Sequence, residues 1–156
     1  MKKWICAVLA LCLCAGCALA ETGNTFTLWF EDAFSLNLPE GWVSYPVAAE
    51  DARAGILYAL GDASGERLLY IQRQTVTGLA DIAALKEALA AQEGCDKVQE
   101  LELNGQPAAS FILTGENVSG CATLLNGDVL TFLFQPQDNA DYMAQVSMIM
   151  ESFHAA

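Results

Sequence analysis

Residues 98–134 read VQELELNGQPAASFILTGENVSGCATLLNGDVLTFLF, and this stretch carries two β-hairpin signals in succession. Asn104-Gly105 separates one pair of apolar runs, and Asn126-Gly127-Asp128 separates the next pair. Asn-Gly between apolar runs is the strongest short hairpin signal, because both turn residues need a positive φ. The stretch therefore predicts four antiparallel strands, at residues 98–103, 107–113, 121–125 and 129–134.

The N-terminal half of the chain predicts further strands. Apolar or alternating runs bounded by turn residues predict them at residues 25–31, 34–38, 42–45, 55–60 and 67–74. Residues 47–54 are small, polar and acidic, and they predict a loop or a single turn. Leu68–Ile71 is continuously apolar, which predicts a strand inside the sheet with both of its faces covered.

Two helices are predicted, and each has one apolar stripe. The first spans residues 79–93, where Leu79, Ile82, Leu85 and Leu89 share a face. The second follows Asp138, which we expect to be its N-cap, and its stripe comprises Tyr142, Val146, Ile149 and Phe153. Sequential hairpins with two amphipathic helices predict an α+β fold. In it an antiparallel sheet of about six or more strands is flanked by two main helices.

Three segments of the chain resemble a known fold family. Phe34–Trp42 reads FSLNLPEGW, Leu103–Ala108 reads LNGQPA and Ile149–Phe153 reads IMESF. Together they resemble the PsbP-like fold, which an extrinsic photosystem subunit, a Ran-binding import factor and many small bacterial exported proteins or lipoproteins share. The resemblance implies an α/β/α sandwich and non-enzymatic accessory or partner-binding roles. It assigns no functional residue to a position in this chain.

The first 20 residues predict a secretion signal. Two lysines are followed by an apolar run of about ten residues, too short for a membrane-spanning helix. We favour cleavage after Ala20, at the small-x-small site Ala18-Leu19-Ala20, which would release a soluble secreted product. Alternatively, Cys14-Ala15-Gly16-Cys17 resembles a bacterial lipobox, and Cys17 would then carry a lipid anchor. Either route predicts an extracytoplasmic protein in which residues 21–156 form a single globular domain.

The predicted domain is strongly acidic. All 19 acidic residues follow residue 20, but only five of the 7 basic residues do, which gives a net charge of −14. Such a surface repels nucleic-acid phosphates and anionic lipid heads. We therefore expect no nucleic-acid partner, and contact with a membrane only through an anchor on Cys17.

Two cysteines, Cys95 and Cys121, remain after the predicted signal. An even pair in an oxidising compartment predicts one disulfide. Closing that loop would stabilise the fold by about 3 kcal/mol. The alternative is a pair of buried free thiols.

Side chains suited to covalent chemistry are scarce. The one histidine, His154, lies next to the C-terminus, where we expect a frayed residue that cannot serve as a positioned base. Zinc sites need several Cys or His ligands. The acidic pairs along the chain resemble solvated loop and strand faces. We therefore predict no catalytic residue, no metal site and no cofactor, and we interpret the chain as non-enzymatic.

Aromatic residues lie close together in the N-terminal part of the sequence, among them Trp29, Trp42 and Tyr45. Core packing is the favoured interpretation, and a groove for a peptide, glycan or lipid is the other. We predict an exported, non-catalytic accessory or protein-interaction module with an unidentified protein partner. The alternative is an extracytoplasmic protein that binds a small ligand or a cation, through an aromatic cleft or through the acidic loop at Glu50-Asp51.

Overall fold

The computed structural model describes residues 24–156. The predicted secretion signal and Cys17 lie outside the described residues. The helices are α1 (Ala49–Arg53), α2 (Ile82–Ala91) and α3 (Ala140–Glu151). The strands are β1 (Thr25–Phe30), β2 (Phe34–Pro39), β3 (Val43–Tyr45), β4 (Ile56–Gly61), β5 (Leu68–Gln74), β6 (Cys95–Leu103), β7 (Gln106–Leu113), β8 (Val118–Leu125), β9 (Asp128–Gln135) and β10 (His154–Ala155).

The strands form two antiparallel sheets. The larger sheet has seven strands in the order β3-β4-β5-β9-β8-β7-β6, and the smaller has three in the order β1-β2-β10. The Asn-Gly hairpins are confirmed, with φ of 49° at Asn104 and 86° at Gly105, and 53° at Asn126 and 88° at Gly127. The predicted α+β fold with a largely antiparallel sheet is therefore confirmed.

Helix α2 covers one face of the seven-stranded sheet. Leu85 of this helix packs against Phe111, Ala122 and Val129, which point to the same side of β7, β8 and β9. The apolar stripe predicted for this helix therefore faces the sheet and forms a smaller apolar cluster with it. The helix lies over β6, β7 and β8, so it covers only one end of the sheet.

Helix α3 and the three-stranded sheet cover the opposite face and enclose the main core. Three fully or almost fully buried aromatic rings meet there: the Phe132 ring lies 5.8 Å from both Phe34 and Phe153. Tyr142 of α3 is also fully buried, and its hydroxyl donates to the backbone oxygen of Leu68 at 2.6 Å. Burial raises the pKa of Tyr142, as expected for a phenol held neutral inside the core.

The start of α3 differs from the prediction. Its N-cap is Asn139, whose side-chain oxygen accepts from the backbone N–H of Tyr142 at 2.9 Å. Asp138 instead accepts a hydrogen bond from the Asn117 amide at 2.9 Å. Asp and Asn cap helices about equally well, so the choice between adjacent residues depends on a tertiary contact that the local sequence does not contain.

Strand β5 is only partly as predicted. Leu69 and Ile71 are fully buried in the main core, but Leu68 and Tyr70, on the other face, are only half-buried. Those two residues point to the side that α2 covers elsewhere. Tyr70 pairs with Leu133 of β9, and the Leu133 side chain packs against the apolar cluster beneath α2. The helix does not extend over β3, β4 and β5, so the prediction that both faces of Leu68–Ile71 are covered was wrong.

Candidate functional site

A shallow groove lies on the sheet face that α2 leaves open. Its volume is about 280 Å³. Strands β3, β4 and β5 form its floor, and α1 with the preceding loop forms one wall. The lining residues are Tyr45, Pro46, Val47, Ala48, Asp51, Ile56, Ala59, Gly65, Leu68 and Tyr70. We refer to this set as the α1 groove.

Backbone and side-chain hydrogen bonds fix α1 against β5. The side-chain amides of Gln72 and Gln74 both donate to the backbone oxygen of Ala54, at 2.7 and 3.3 Å. Arg73 N–H donates to the oxygen of Gly55 at 2.9 Å. Gly55 has a φ of 93°, and a Cβ there would lie 2.6 Å from the Arg73 oxygen. Only glycine permits so close an approach. Glycine at position 55 is therefore required for the end of α1 to pack against β5.

The turn between β4 and β5 fixes the opposite end of the groove. The Tyr45 hydroxyl donates to the backbone oxygen of Asp62, which orients its ring. The Asp62 carboxylate accepts from the Ser64 hydroxyl and from Glu66 N–H, each at 3.0 Å. Burial works to raise the pKa of Asp62, but the hydrogen bonds from Ser64 and from neighbouring backbone N–H groups hold it below its ordinary value. A charged carboxylate therefore stabilises this turn at neutral pH.

The chemistry of the α1 groove is apolar and aromatic, with one acidic group. Two tyrosine rings and several aliphatic side chains supply the walls and floor, and Asp51 supplies the only carboxylate in the lining. Asp51 is exposed on α1, and Ala59 is buried in the floor. Such a surface can hold an apolar or aromatic side chain together with one positive charge.

The three aromatic interaction candidates do not come together. Trp29 is 51% exposed on the outer face of the three-stranded sheet. Trp42 packs against the main core, with its ring 6.4 Å from that of Tyr142. Only Tyr45 lines the groove. Core packing therefore describes Trp42, and the interaction hypothesis stays open for Tyr45 and Trp29.

Leu68 and Tyr70 were not among the predicted site residues. Their signal in the sequence is the unbroken apolar run Leu68–Ile71, which has the pattern of a strand covered on both sides. Val47, Ala48 and Asp51 fall in the segment predicted to be a loop or a single turn, and α1 occupies part of it. This segment contributes to the groove only because it packs against β4, and no local sequence pattern predicts that packing.

His154 is not frayed, contrary to the prediction. It lies in β10 and pairs with Ser35 of β2. Its ring meets that of Trp29 edge-on at 6.4 Å. The pairing of β10 with β2 holds this end of the chain against the three-stranded sheet. His154 lies on the outer face of that sheet and not in the α1 groove.

The predicted disulfide between Cys95 and Cys121 is not formed, and both thiols are free. Cys95 belongs to the cluster under α2, whereas Cys121 belongs to the main core on the opposite face of the sheet. Strand β7 also lies between their strands, β6 and β8. Side chains on opposite faces of a sheet point apart, so the pair cannot be bridged without moving the backbone.

The two thiols are expected to react differently with an alkylating reagent. Burial raises the pKa of Cys121 to about 12, while burial and the neighbouring Asp96 raise the pKa of the half-buried Cys95. In the native protein at pH 8, iodoacetamide should modify Cys95 slowly and spare Cys121. In denaturant without reductant, both should be modified. Peptide mapping by mass spectrometry checks this, and a Cys95–Cys121 peptide pair that resists alkylation after unfolding would contradict the free thiols.

Two acidic residues, Glu50 and Asp51, lie side by side in α1. Glu50 and Asp51 occupy its first turn, but residues 24–156 contain no group of three or more His, Cys, Asp or Glu side chains arranged to hold a metal ion. In the same part of the chain, no helix combines the length and the apolar character needed to cross a bilayer.

Comparisons with known proteins identify the fold. No family model matches the chain, and no curated protein matches it. Among solved structures, the chain is similar to the solution structure of cyanobacterial PsbP (CyanoP) from Synechocystis sp. PCC 6803, with a TM-score of 0.61 and 17% sequence identity. The similarity covers 90% of this chain and 97% of that one. The chain therefore has a PsbP-like fold, as the three sequence segments predict.

Proposed function

We propose that this chain is an exported, non-catalytic accessory protein that binds another protein through the α1 groove. The observation that carries the proposal is strand β5. Its run Leu68–Ile71 has the composition of a strand covered on both sides, yet Leu68 and Tyr70 are only half-buried, because α2 lies over β6, β7 and β8. A partner protein would supply the missing cover.

The size of the groove suits a side chain of a partner protein. Sites that enclose drug-sized ligands measure about 300–1,000 Å³ and bury most of the ligand. The α1 groove, at about 280 Å³, lies at the lower limit of that range and is not enclosed. A space of that size can hold one or two side chains of a partner protein. The rest of the partner's interface would contact the open face of β3, β4 and β5 around the groove.

The hydrogen bonds that hold the walls of the groove support a binding role. Its walls are held by hydrogen bonds to Ala54 and Asp62 from side chains on β3 and β5. A preformed surface loses little conformational entropy on association. Export is supported by the basic start and the short apolar run of residues 1–20. An accessory role is also what the resemblance to the PsbP-like family implies.

Site-specific photo-cross-linking tests the proposal. A benzophenone amino acid in place of Tyr70 places the reactive group in the groove, and the same amino acid in place of Met148 places it on the outer side of α3. Met148 is 46% exposed, so it makes a matched surface control. On irradiation of cells that express the protein, we expect position 70 to give one adduct of discrete mass and position 148 to give none.

The cross-linked peptide is then identified by mass spectrometry, and the partner is tagged and purified to recover this chain in return. Failure to form an adduct at position 70, or equal adducts at both positions, contradicts binding through the α1 groove.

A further inference from the structure

We propose that the α1 groove recognises an arginine side chain of the partner, an inference that rests on the proposed function and names its chemistry. The groove combines two features that an arginine needs and that few other side chains use together. These are an apolar, aromatic surface and a single carboxylate at its edge.

The aromatic and aliphatic lining suits the stem and the plane of arginine. Tyr45 and Tyr70 border the space, and Ala59 and Leu68 provide its floor. Arginine lays its methylene stem along such surfaces while its charged end stays near water. Its planar guanidinium also stacks on aromatic faces, which the compact, strongly hydrated ammonium of lysine does less well.

The carboxylate of Asp51 is available to a partner. The ion pairs among residues 24–156 join Arg73 to Glu31 and Asp128, and Lys86 to Glu100, so none of them engages Asp51. Asp51 is exposed, lines the groove and faces an apolar surface that offers no competing cation. A carboxylate in this position can accept two parallel N–H bonds from one guanidinium.

The charge of the whole chain points to the same class of partner. The formal net charge is −12, which attracts positively charged segments and raises their rate of encounter. This long-range attraction does not select between lysine and arginine. That selection depends on the aromatic lining of the groove.

Short synthetic peptides test the arginine assignment. The first is a peptide whose only charge is that of one central arginine, which is flanked by leucines. The others carry citrulline, lysine or glutamine at that position. Citrulline has nearly the shape of arginine but no charge. Binding is followed by NMR through the amide signals of Asp51, Ala59 and Gly65 in the purified protein, in the form in which cells produce it.

We expect saturable shifts at these three amides, with the arginine peptide bound at least about five-fold more tightly than the other three. Asp51→Asn should weaken the arginine peptide about three-fold, as for an exposed ion pair, and leave the citrulline peptide unchanged. Glu50→Gln is the matched control. It removes the same charge from the neighbouring residue of α1, which does not line the groove, and it should leave both affinities within about two-fold.

Equal affinity for the arginine and citrulline peptides overturns the inference, and so does equal affinity for arginine and lysine. If no peptide binds while the cross-link at position 70 still forms, the arginine assignment is wrong and the proposed function remains. If the cross-link also fails, both are wrong.

Discussion

Replacing Gly120 with alanine is expected to lower the free energy of unfolding by about 2–3 kcal/mol. Gly120 lies in β8 opposite Phe111 of β7, and the Phe111 ring lies across the glycine. A Cβ at position 120 would lie 2.5 Å from Cε2 and 2.8 Å from Cε1 of that ring, and closer still to Cζ. The ring cannot move away freely, because Phe111 is 5% exposed and packed beneath α2.

A double-mutant cycle with Phe111→Leu separates this collision from other effects of the alanine. Leucine removes the ring atoms that the new methyl group would meet, so the combined variant should be less destabilised than the sum of the single variants by at least about 1 kcal/mol. Urea unfolding followed by tryptophan fluorescence measures all four proteins. Strict additivity, or a Gly120→Ala variant as stable as the parent protein, would show that the ring does not occupy this position.

The hairpins and helices of this fold could be predicted from the sequence because their signals are local. Asn104-Gly105 specifies a turn through the backbone conformation of two adjacent residues, and the stripe around Leu85 specifies a helix face within three turns. The N-cap of α3 could not be assigned in the same way. Asp138 and Asn139 both suit that position, and the hydrogen bond between Asp138 and Asn117 decides between them.

The α1 groove was mostly beyond prediction because it depends on how far a helix extends across a sheet. The run Leu68–Ile71 indicates two covered faces, but it does not show that α2 stops before reaching β5. Similarly, the presence of two cysteines, Cys95 and Cys121, in a domain predicted to be exported indicated a disulfide. Which face each cysteine occupies depends on the strand register, including an irregularity in β6 between Asp96 and Gln99.

The second large effect is expected from Ala48→Arg, which should weaken partner binding at least about ten-fold. Ala48 lines the groove and is exposed. It is the N-cap of α1, with φ −65° and ψ 152°, and its side chain makes no capping hydrogen bond. Arginine can adopt this extended conformation, so we expect little change in stability. The new side chain would fill the groove, pair with Asp51 and repel a cationic group of the partner.

Ala52→Arg provides the matched control. Ala52 lies in the same helix and is also exposed, but it is not part of the groove lining. Both variants change the net charge by the same amount, so long-range attraction is weakened equally. Any difference between them therefore reports on the groove itself.

The most direct test of the account is the dissociation constant of the cross-linked partner for the parent protein and these two variants, measured with purified components. Occupation of the α1 groove predicts a loss of at least about ten-fold for Ala48→Arg and less than about two-fold for Ala52→Arg. An Ala48→Arg variant that folds normally and binds the partner as tightly as the parent protein would contradict it.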